Sequence, residues 1–457
     1  MQTRKPKGII EITMHDSGRQ FGFCGAPGSF TPNADRMAQE GAVFLNHYSV
    51  ASVCMPSRLG ILTGKYVHHT HLSRCDPDEV TLPKLLGAAG YRTLLFGGRE
   101  HSGYMRDPRF GYAGDDIGRD IVGYLEQRTE RSDGAWVAAQ VCEFLQSPAA
   151  DEPFFLCANL HEAHSPYDIS QIAAEEAQAA VFPPKLPGLP DTQGTRGRFA
   201  AFCKQLALGD RALGQILDCV RAGGRRDDTL VLFTVDHGVD LPRAKQTLYD
   251  SGVQTPLVFW GPAWLGTAKI ETLSSHCDIL PTVCEIAGVR TPEGLDGVSL
   301  LPAMESGARA REAVFFEKGW DNPNEPMRGM RTERYKYIRN FRPGWPIPAV
   351  HDFIKACGKE AYLRAYAGSV RPPEEIYDVS EDPAELQNLA GRPEYADLLA
   401  DFRRQVENIM QRNADELLAE DSVYTRNREH PAVRYWFFNA AAGAWDLDLE
   451  QPFLVNP

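Results

Sequence analysis

Apolar runs of strand length alternate with helical stretches from residue 8 to residue 288. GIIEITM (8–14), VFLNHYS (43–49), YRTLLFG (91–97), PFFLCANLH (153–161), TLVLFTVDHG (229–238) and TPLVFWG (255–261) read as buried strands. Between and after them, TPNADRMAQEGA, residues 54–64, TLPKLLGAAG, GAWVAAQVCEFLQ, FAAFCKQLALGDRALGQILDCVRAGG and CDILPTVCEIAG carry helical spacing, and several stop at glycine. This alternation predicts an α/β domain built on a large, mostly parallel central sheet flanked by helices. In such sheets ligands bind beyond the C-terminal strand ends. Four of those ends carry charged or imidazole groups: His15-Asp16, Arg99 to His101, His161 to His164, and Asp236-His237. Their convergence is the positional argument for an active site.

After about residue 310 the texture changes. EAVFFE, RGMRTERYKYIRNF and EEIYDVS read as short antiparallel strands, and YADLLADFRRQVENIMQRNADELL as a long helix. We therefore expect a catalytic α/β domain over 1–310 and a smaller α+β subdomain with a short antiparallel sheet over 311–457. The aromatic tail AVRYWFFNAAAGAWDLDLEQPFLVNP suits packing on the core or on a second copy in a homo-oligomer.

The 457 residues are 43% hydrophobic and 24% charged, enough for a sizeable core. The net charge of −13 argues against nucleic acid and long polyanions as partners. An anion handled here needs a local basic pocket. The N-terminal apolar run is interrupted by Glu11, which is too polar for a signal peptide, and no stretch has the length of a membrane span. A cytoplasmic protein without a membrane partner is the expectation. The ten cysteines (Cys24, Cys54, Cys75, Cys142, Cys157, Cys203, Cys219, Cys277, Cys284, Cys357) are scattered without a CxxC pair. All but Cys54 read as buried free thiols.

Cys54 stands apart because it opens a helix as Cys54-Met55-Pro56-Ser57-Arg58, followed by Leu62-Thr63-Gly64. This eleven-residue stretch resembles the sulfatase signature C-x-P-S-R-x-x-x-L-T-G. The resemblance extends along the chain. TPNADRMAQEGAVFLNHYS, YRTLLFGGREH, NLHEAHSPYD, FTVDHG, AKQTLYDSGVQTPLVF, HCDILPTVCEIAG, MRGMRTERYKYIRN and EEIYDVSEDPAELQNLA follow the family's segments in order. The family implies an alkaline phosphatase-like fold. It also implies oxidation of Cys54 to formylglycine (3-oxoalanine) by a formylglycine-generating enzyme, and one divalent metal ion. Within the family, HDSGR, HEAHSPY and PMRGMRTERYKYIRN are similar to bacterial relatives of heparan N-sulfatase. A small or terminal sulfated sugar or sulfamate follows as the implied substrate.

The resemblance also implies roles. Asp16, Asp236, His237 and residue 54 are the implied metal ligands. The family usually has an acidic residue where this chain has His15, which reads either as a fifth ligand or as a hydrogen-bonding neighbour. Calcium is the usual family ion. Two histidines would suit Mn²⁺ or Zn²⁺ better than the all-oxygen sites that favour Ca²⁺ or Mg²⁺. Arg58 and Lys245 are implied to contact the nucleophile, the metal's oxygens or the sulfate. Arg99 replaces the family's lysine as a sulfate clamp. His101 is the implied base, His164 the acid for the leaving group, and His161 a pocket residue. The histidines of YVHHTHLSRC (His68, His69, His71) read as an exposed loop beside the pocket, with no acidic partner near in sequence. Two other readings use the same residues: a phosphonate monoester or phosphodiester hydrolase, and a catalytically silent anion-binding relative whose Cys54 stays a thiol.

Overall fold

β1 (Gly8–Met14) is buried along its whole length. A strand in the middle of a parallel sheet must be apolar on both faces, and β1 divides its side chains accordingly. Ile10, Ile12 and Met14 enter one core, and Ile9 enters the other. Glu11 is the one ionisable residue of the strand and is fully buried.

The computed structural model describes residues 5–70, 78–98, 123–184, 186, 188–319, 325–344, 347, 351–366, 369–418, 437–439 and 444–446. In chain order the main sheet contains β1, β2 (Ala42–Tyr48), β3 (Arg92–Gly97), β4 (Glu126–Arg128), β5 (Phe154–Leu160), β6 (Thr229–Val235), β7 (Gln254–Trp260), β8 (Ala268–Ile270) and β9 (Ser274–Ser275). Their order across the sheet is β4-β3-β5-β1-β6-β7-β2-β8, with β9 also on β2. Only β7 runs against the others. The mixed, mostly parallel sheet is the one the alternation predicted.

Helices cover both faces. α1 (Pro32–Glu40), α4 (Gly134–Gln146) and α6 (Gln193–Ala222) supply one core, with Val137, Val141, Phe202 and Leu213 against β1 and β5. α2 (Cys54–Thr63), α3 (Leu82–Ala88) and α8 (Ile279–Ala287) supply the other, through Leu59, Leu62, Leu86 and Leu280. The short helices α5 (Ala174–Ala179) and α7 (Asp250–Val253) sit in connections. Thr81, Asp133 and Thr192 cap α3, α4 and α6 by accepting backbone N–H bonds, each worth about 1 kcal/mol. α6 begins six residues earlier than its apolar pattern indicated, because the polar stretch QGTRGR continues the helix from the Thr192 cap.

The thiol expectation needs correction. Cys142 of α4 and Cys219 of α6 form a disulfide across 77 residues, with Cα atoms 5.7 Å apart. The two helices pack side by side, which brings the residues into bonding range although nothing in their local sequence marks them. No helix among the described residues is long and apolar enough to cross a membrane.

A second, antiparallel sheet follows in the order β10 (Val314–Lys318), β11 (Met327–Arg331), β12 (Tyr335–Asn340) and β13 (Glu374–Asp378). The expected boundary at residue 310 falls between the helix Leu301–Ser306 and β10. One face of this sheet packs the helix Ala396–Arg412 through Tyr337, Phe402 and Val406. The other face packs Phe316 and Ile338 against Tyr48 and Val253 of the main unit. Of the aromatic tail, only two short paired strands at 437–439 and 444–446 are described.

Candidate active site

Parallel pairing sets the site's level. Met14 pairs with Leu160 on one side and with Val235 on the other. The next residues along the three strands, His15, His161 and Asp236, therefore leave the sheet at one height. β3 delivers Gly97 opposite Asn159 on the same edge. Arg99 and His101, which follow, lie outside the described residues.

Into this rim α2 brings Cys54 as its first helical residue. Val53 ahead of it is extended, and Gly64 ends the helix at φ 67°. Glycine suits that left-handed turn, which accounts for the last residue of the Leu62-Thr63-Gly64 run. The helix start places its positive dipole end beside Cys54. Cys54 Sγ lies 3.1 Å from His237 Nε2 and 3.8 Å from Asp16 Oδ1. Burial pushes the thiol's pKa up, against the pull of Lys245 and His237.

Asp236 anchors the arrangement. Its Oδ1 accepts the backbone N–H of Asp16 at 2.9 Å and that of His237 at 2.8 Å. Its Oδ2 accepts Arg58 Nε at 3.2 Å and Nη2 at 3.0 Å. Burial opposes the ionised form, yet His237, Arg58 and His15 hold the carboxyl well below its usual range. Arg58 is fully enclosed, and its Nη1 donates to Asn159 Oδ1 at 2.6 Å. It braces the carboxylate of Asp236 from behind. Asn159 was not singled out from sequence. Its only signal there is an amide at the end of an apolar strand.

Lys245 Nζ reaches Asp16 Oδ2 at 2.7 Å. Gln246 N donates to Ser52 O at 3.0 Å, which ties the lysine's turn to the chain just before Cys54. Asp16, Arg243 and Gln246 have φ of 45°, 64° and 68°, a left-handed conformation that non-glycine residues keep only where the surroundings enforce it. Burial raises the Asp16 pKa, but Lys245 and His237 outweigh it and the group is net lowered. His237 Nδ1 lies 2.9 Å from Gly238 O, so Nε2 faces Asp16 Oδ1 at 3.3 Å. Burial disfavours its charge, but Asp236, Cys54 and Asp16 carry its pKa up to about 9.

Ligand atoms of Asp16, Cys54, Asp236 and His237 all lie within 4.8 Å of one another. Two carboxylates, an imidazole and residue 54 form a donor set that fits a divalent cation. His15 is absent from this set. It belongs to an overlapping one with Asp16, Cys54 and His164. Its Nδ1 lies 3.1 Å from Asp236 Oδ2. Its ring stands edge-on to His161 and His164 at 5.4 and 5.3 Å, while those two stack at 5.0 Å. Burial, then the Arg58 charge, lowers the His15 pKa to about 4, so the ring is neutral. His164 Nδ1 contacts the Ser165 carbonyl, which fixes the tautomer and leaves Nε2 available.

Ser57 Oγ donates to the Asp236 carbonyl and lies 3.0 Å from His276 Nδ1, a buried neutral histidine that the sequence reading did not single out. The exposed-loop expectation fails for His68. It is buried, with Nδ1 2.9 Å from Glu317 Oε1, in a network closed by Arg328 and Asp415. The acidic partner lies 249 residues away, beyond the reach of local spacing. His69 lies 3.3 Å from Asp296, and His71 lies outside the described residues.

The chain is similar to known proteins over most of its length. The sulfatase family model matches residues 9–289, and the C-terminal model of N-sulphoglucosamine sulphohydrolase matches 243–346. An ulvan-active sulfatase of Formosa agariphila is 27% identical, covering 87% of this chain and 74% of that protein. Human N-sulphoglucosamine sulphohydrolase is 27% identical, covering 88% and 89%. The crystal structure of a phosphonate monoester hydrolase of Agrobacterium radiobacter shares the fold at TM-score 0.68 and 20% identity, covering 91% and 97%.

Proposed function

Because the chain belongs to the sulfatase family of sulfuric ester hydrolases, we propose that it hydrolyses a sulfate ester or sulfamate on a small or terminal sugar. The observation that carries this reading is the meeting of Cys54, at the start of α2, with Asp16, Asp236, His237 and Lys245. The sugar and the sulfamate option rest on the likeness to N-sulphoglucosamine sulphohydrolase and the ulvan-active sulfatase. The net charge of −13 favours a small or terminal group over a long polyanion.

In this reading Cys54 is converted to formylglycine, whose hydrate supplies an oxygen nucleophile and a route for releasing sulfate. A divalent cation, calcium by family habit and Mn²⁺, Mg²⁺ or Zn²⁺ by donor chemistry, supplies positive charge opposite the sulfate. Asp16, Asp236, His237 and residue 54 would hold it. The chain's own groups do the rest. Asp236 and Arg58 fix the rim, and Lys245 offers an ammonium to the anion. Protonated on both ring nitrogens, His164 gives the proton on Nε2 to the leaving oxygen or nitrogen and keeps the one on Nδ1 against the Ser165 carbonyl. His101 as base and Arg99 as clamp complete the set by resemblance to the family. The second reading, a phosphonate monoester or phosphodiester hydrolase, draws support from the imidazole in the cation set.

Mass spectrometry of the peptide spanning residues 51–65, from protein made in its own host, tests the nucleophile. Turnover of sulfate, sulfamate and phosphonate esters at equal cation loading tests the substrate. An aldehyde at 54 with sulfate or sulfamate turnover supports the proposal. Preference for phosphonate supports the second reading. A persisting thiol with sulfate binding and no turnover identifies a silent relative and overturns both.

A further inference from the structure

Residue 54 belongs to two overlapping ligand sets, and they differ in character. One pairs it with Asp16, Asp236 and His237; the other pairs it with His15, Asp16 and His164. The first has two carboxylates, and both oxygens of Asp236 are engaged by backbone N–H groups and Arg58, while Asp16, common to both sets, carries Lys245 on Oδ2. The second holds two imidazoles and one carboxylate around the Cys54 sulfur. His15 is 1% exposed, and neither of its ring nitrogens has a hydrogen-bond partner among the described residues. A buried imidazole nitrogen left this way costs about 1–3 kcal/mol unless something binds it. Its Nδ1 lies against the Asp236 carboxylate, and His164 Nδ1 lies against the Ser165 carbonyl. The His164 contact is how a metal-ligating histidine is oriented: one ring nitrogen is fixed and the other presented.

We infer that the unconverted chain, with Cys54 as a thiol, binds one Zn²⁺ through Cys54 Sγ, His15, His164 and Asp16. Thiolate, two imidazoles and one carboxylate form a tetrahedral set of the kind zinc prefers. Around zinc, ligand atoms stand roughly 3.3–3.7 Å apart. The present atoms lie within 4.8 Å of one another, so closing on the ion takes shifts of about 1 Å. On binding, the Cys54 S–H bond breaks, an S–Zn bond forms, and the proton passes to solvent. No oxidation state changes. Loss of the sulfur on conversion removes the soft ligand from this seat, so the state of residue 54 selects the cation. The inference concerns the thiol form and does not depend on the reaction proposed above.

The test uses full-length protein made in a host without the modifying enzyme, with the thiol at 54 verified by mass. Co²⁺ titration is expected to produce a thiolate-to-cobalt charge-transfer band and visible tetrahedral bands, saturating at one equivalent. One equivalent of Zn²⁺ should bleach both and remain bound through gel filtration. Cys54→Ser should abolish the charge-transfer band. His15→Ala and His164→Ala should each weaken Co²⁺ binding at least tenfold, and His69→Ala should leave it unchanged. Circular dichroism checks that each variant is folded; half-buried His164 and partly exposed Cys54 keep the test open should His15→Ala fail to fold. Absence of the band in the parent protein overturns the inference. So does a band that survives His164→Ala but disappears in His237→Ala, since the ion then sits in the other set.

Discussion

Asn159 gives the sharpest test of how the rim is held. Its side chain links Arg58 of α2 to Gly98 beyond β3. Oδ1 accepts Arg58 Nη1 at 2.6 Å, and Nδ2 donates to Gly98 O at 3.0 Å. The amide orientation is fixed, because only oxygen can face the guanidinium and only nitrogen the carbonyl. Asn159→Ala removes a charge-assisted bond worth about 1.5–3 kcal/mol and a neutral one worth about 0.5–1.5 kcal/mol. It leaves a buried guanidinium N–H and a carbonyl facing a void. The expected loss is about 2–4 kcal/mol of unfolding free energy. Turnover should fall as well, because Gly98 immediately precedes Arg99 and Arg58 braces Asp236. The assay is urea unfolding followed by tryptophan fluorescence at fixed cation concentration. Asn46→Ala serves as control: Asn46 donates to Glu271 O at an exposed site, and its loss should stay within about 0.5 kcal/mol. A change below about 1 kcal/mol for Asn159→Ala, or one equal to the control's, would refute the brace.

Burial raises the Glu11 pKa from 4.5 to about 7, against the lowering influence of Thr13 and Arg58. Its proton therefore favours the folded state below about 4.5, and that contribution is lost as pH rises through 7. Glu11→Gln should raise stability by up to about 3 kcal/mol at pH 8 and leave it unchanged at pH 4, read by denaturant unfolding at both. Arg328→Met leaves Glu317 and Asp415 without their shared guanidinium; a loss of about 3–5 kcal/mol is expected in thermal unfolding. Replacing Cys142 and Cys219 with serine opens a crosslink spanning 77 residues. It should cost about 2–4 kcal/mol, while thiol titration of the unfolded parent before and after reduction counts the two added thiols. Lys245→Met should tighten binding of Ca²⁺ or Mn²⁺ and weaken binding of inorganic sulfate at least tenfold, measured by calorimetry on one preparation. A parallel fall in both would refute the competition for Asp16 argued below.

The strand ends were legible because each apolar run stops at an ionisable pair, and parallel pairing turns those stops into one rim. Met14, Leu160 and Val235 share a level, and so the residues that follow them meet. The Cys54 helix was legible from its motif and its terminal glycine. What stayed hidden was mutual dependence over long separations. The motif marks Arg58 but does not say that its charge goes to Asp236 and Asn159. Position 15 reads as a ligand or its neighbour, and only the packing of His161 and His164 shows which set it joins. The Cys142–Cys219 bond and the His68–Glu317 pair join residues whose local contexts are unremarkable. The start of α6 was missed because capping by Thr192, not apolar spacing, decides where it begins.

An acidic chain that handles an anion has to concentrate positive charge at one place. Arg58 cannot be that charge, since it is enclosed and engaged by Asp236. Lys245, 12% exposed, does reach solvent, and its ammonium rests on Asp16 Oδ2. Asp16 therefore has two claimants. A divalent cation on Asp16 weakens the lysine's hold on the same carboxylate, and the ammonium is then free to face an incoming sulfate. The carboxylates of Asp16 and Asp236 face three positive groups, Lys245, Arg58 and His237, and of these Arg58 and His237 are fully enclosed. In the proposed reading, the ion pair between Lys245 and Asp16 would couple the two binding events: filling the cation set would turn Lys245 from a structural partner into a sulfate-facing charge.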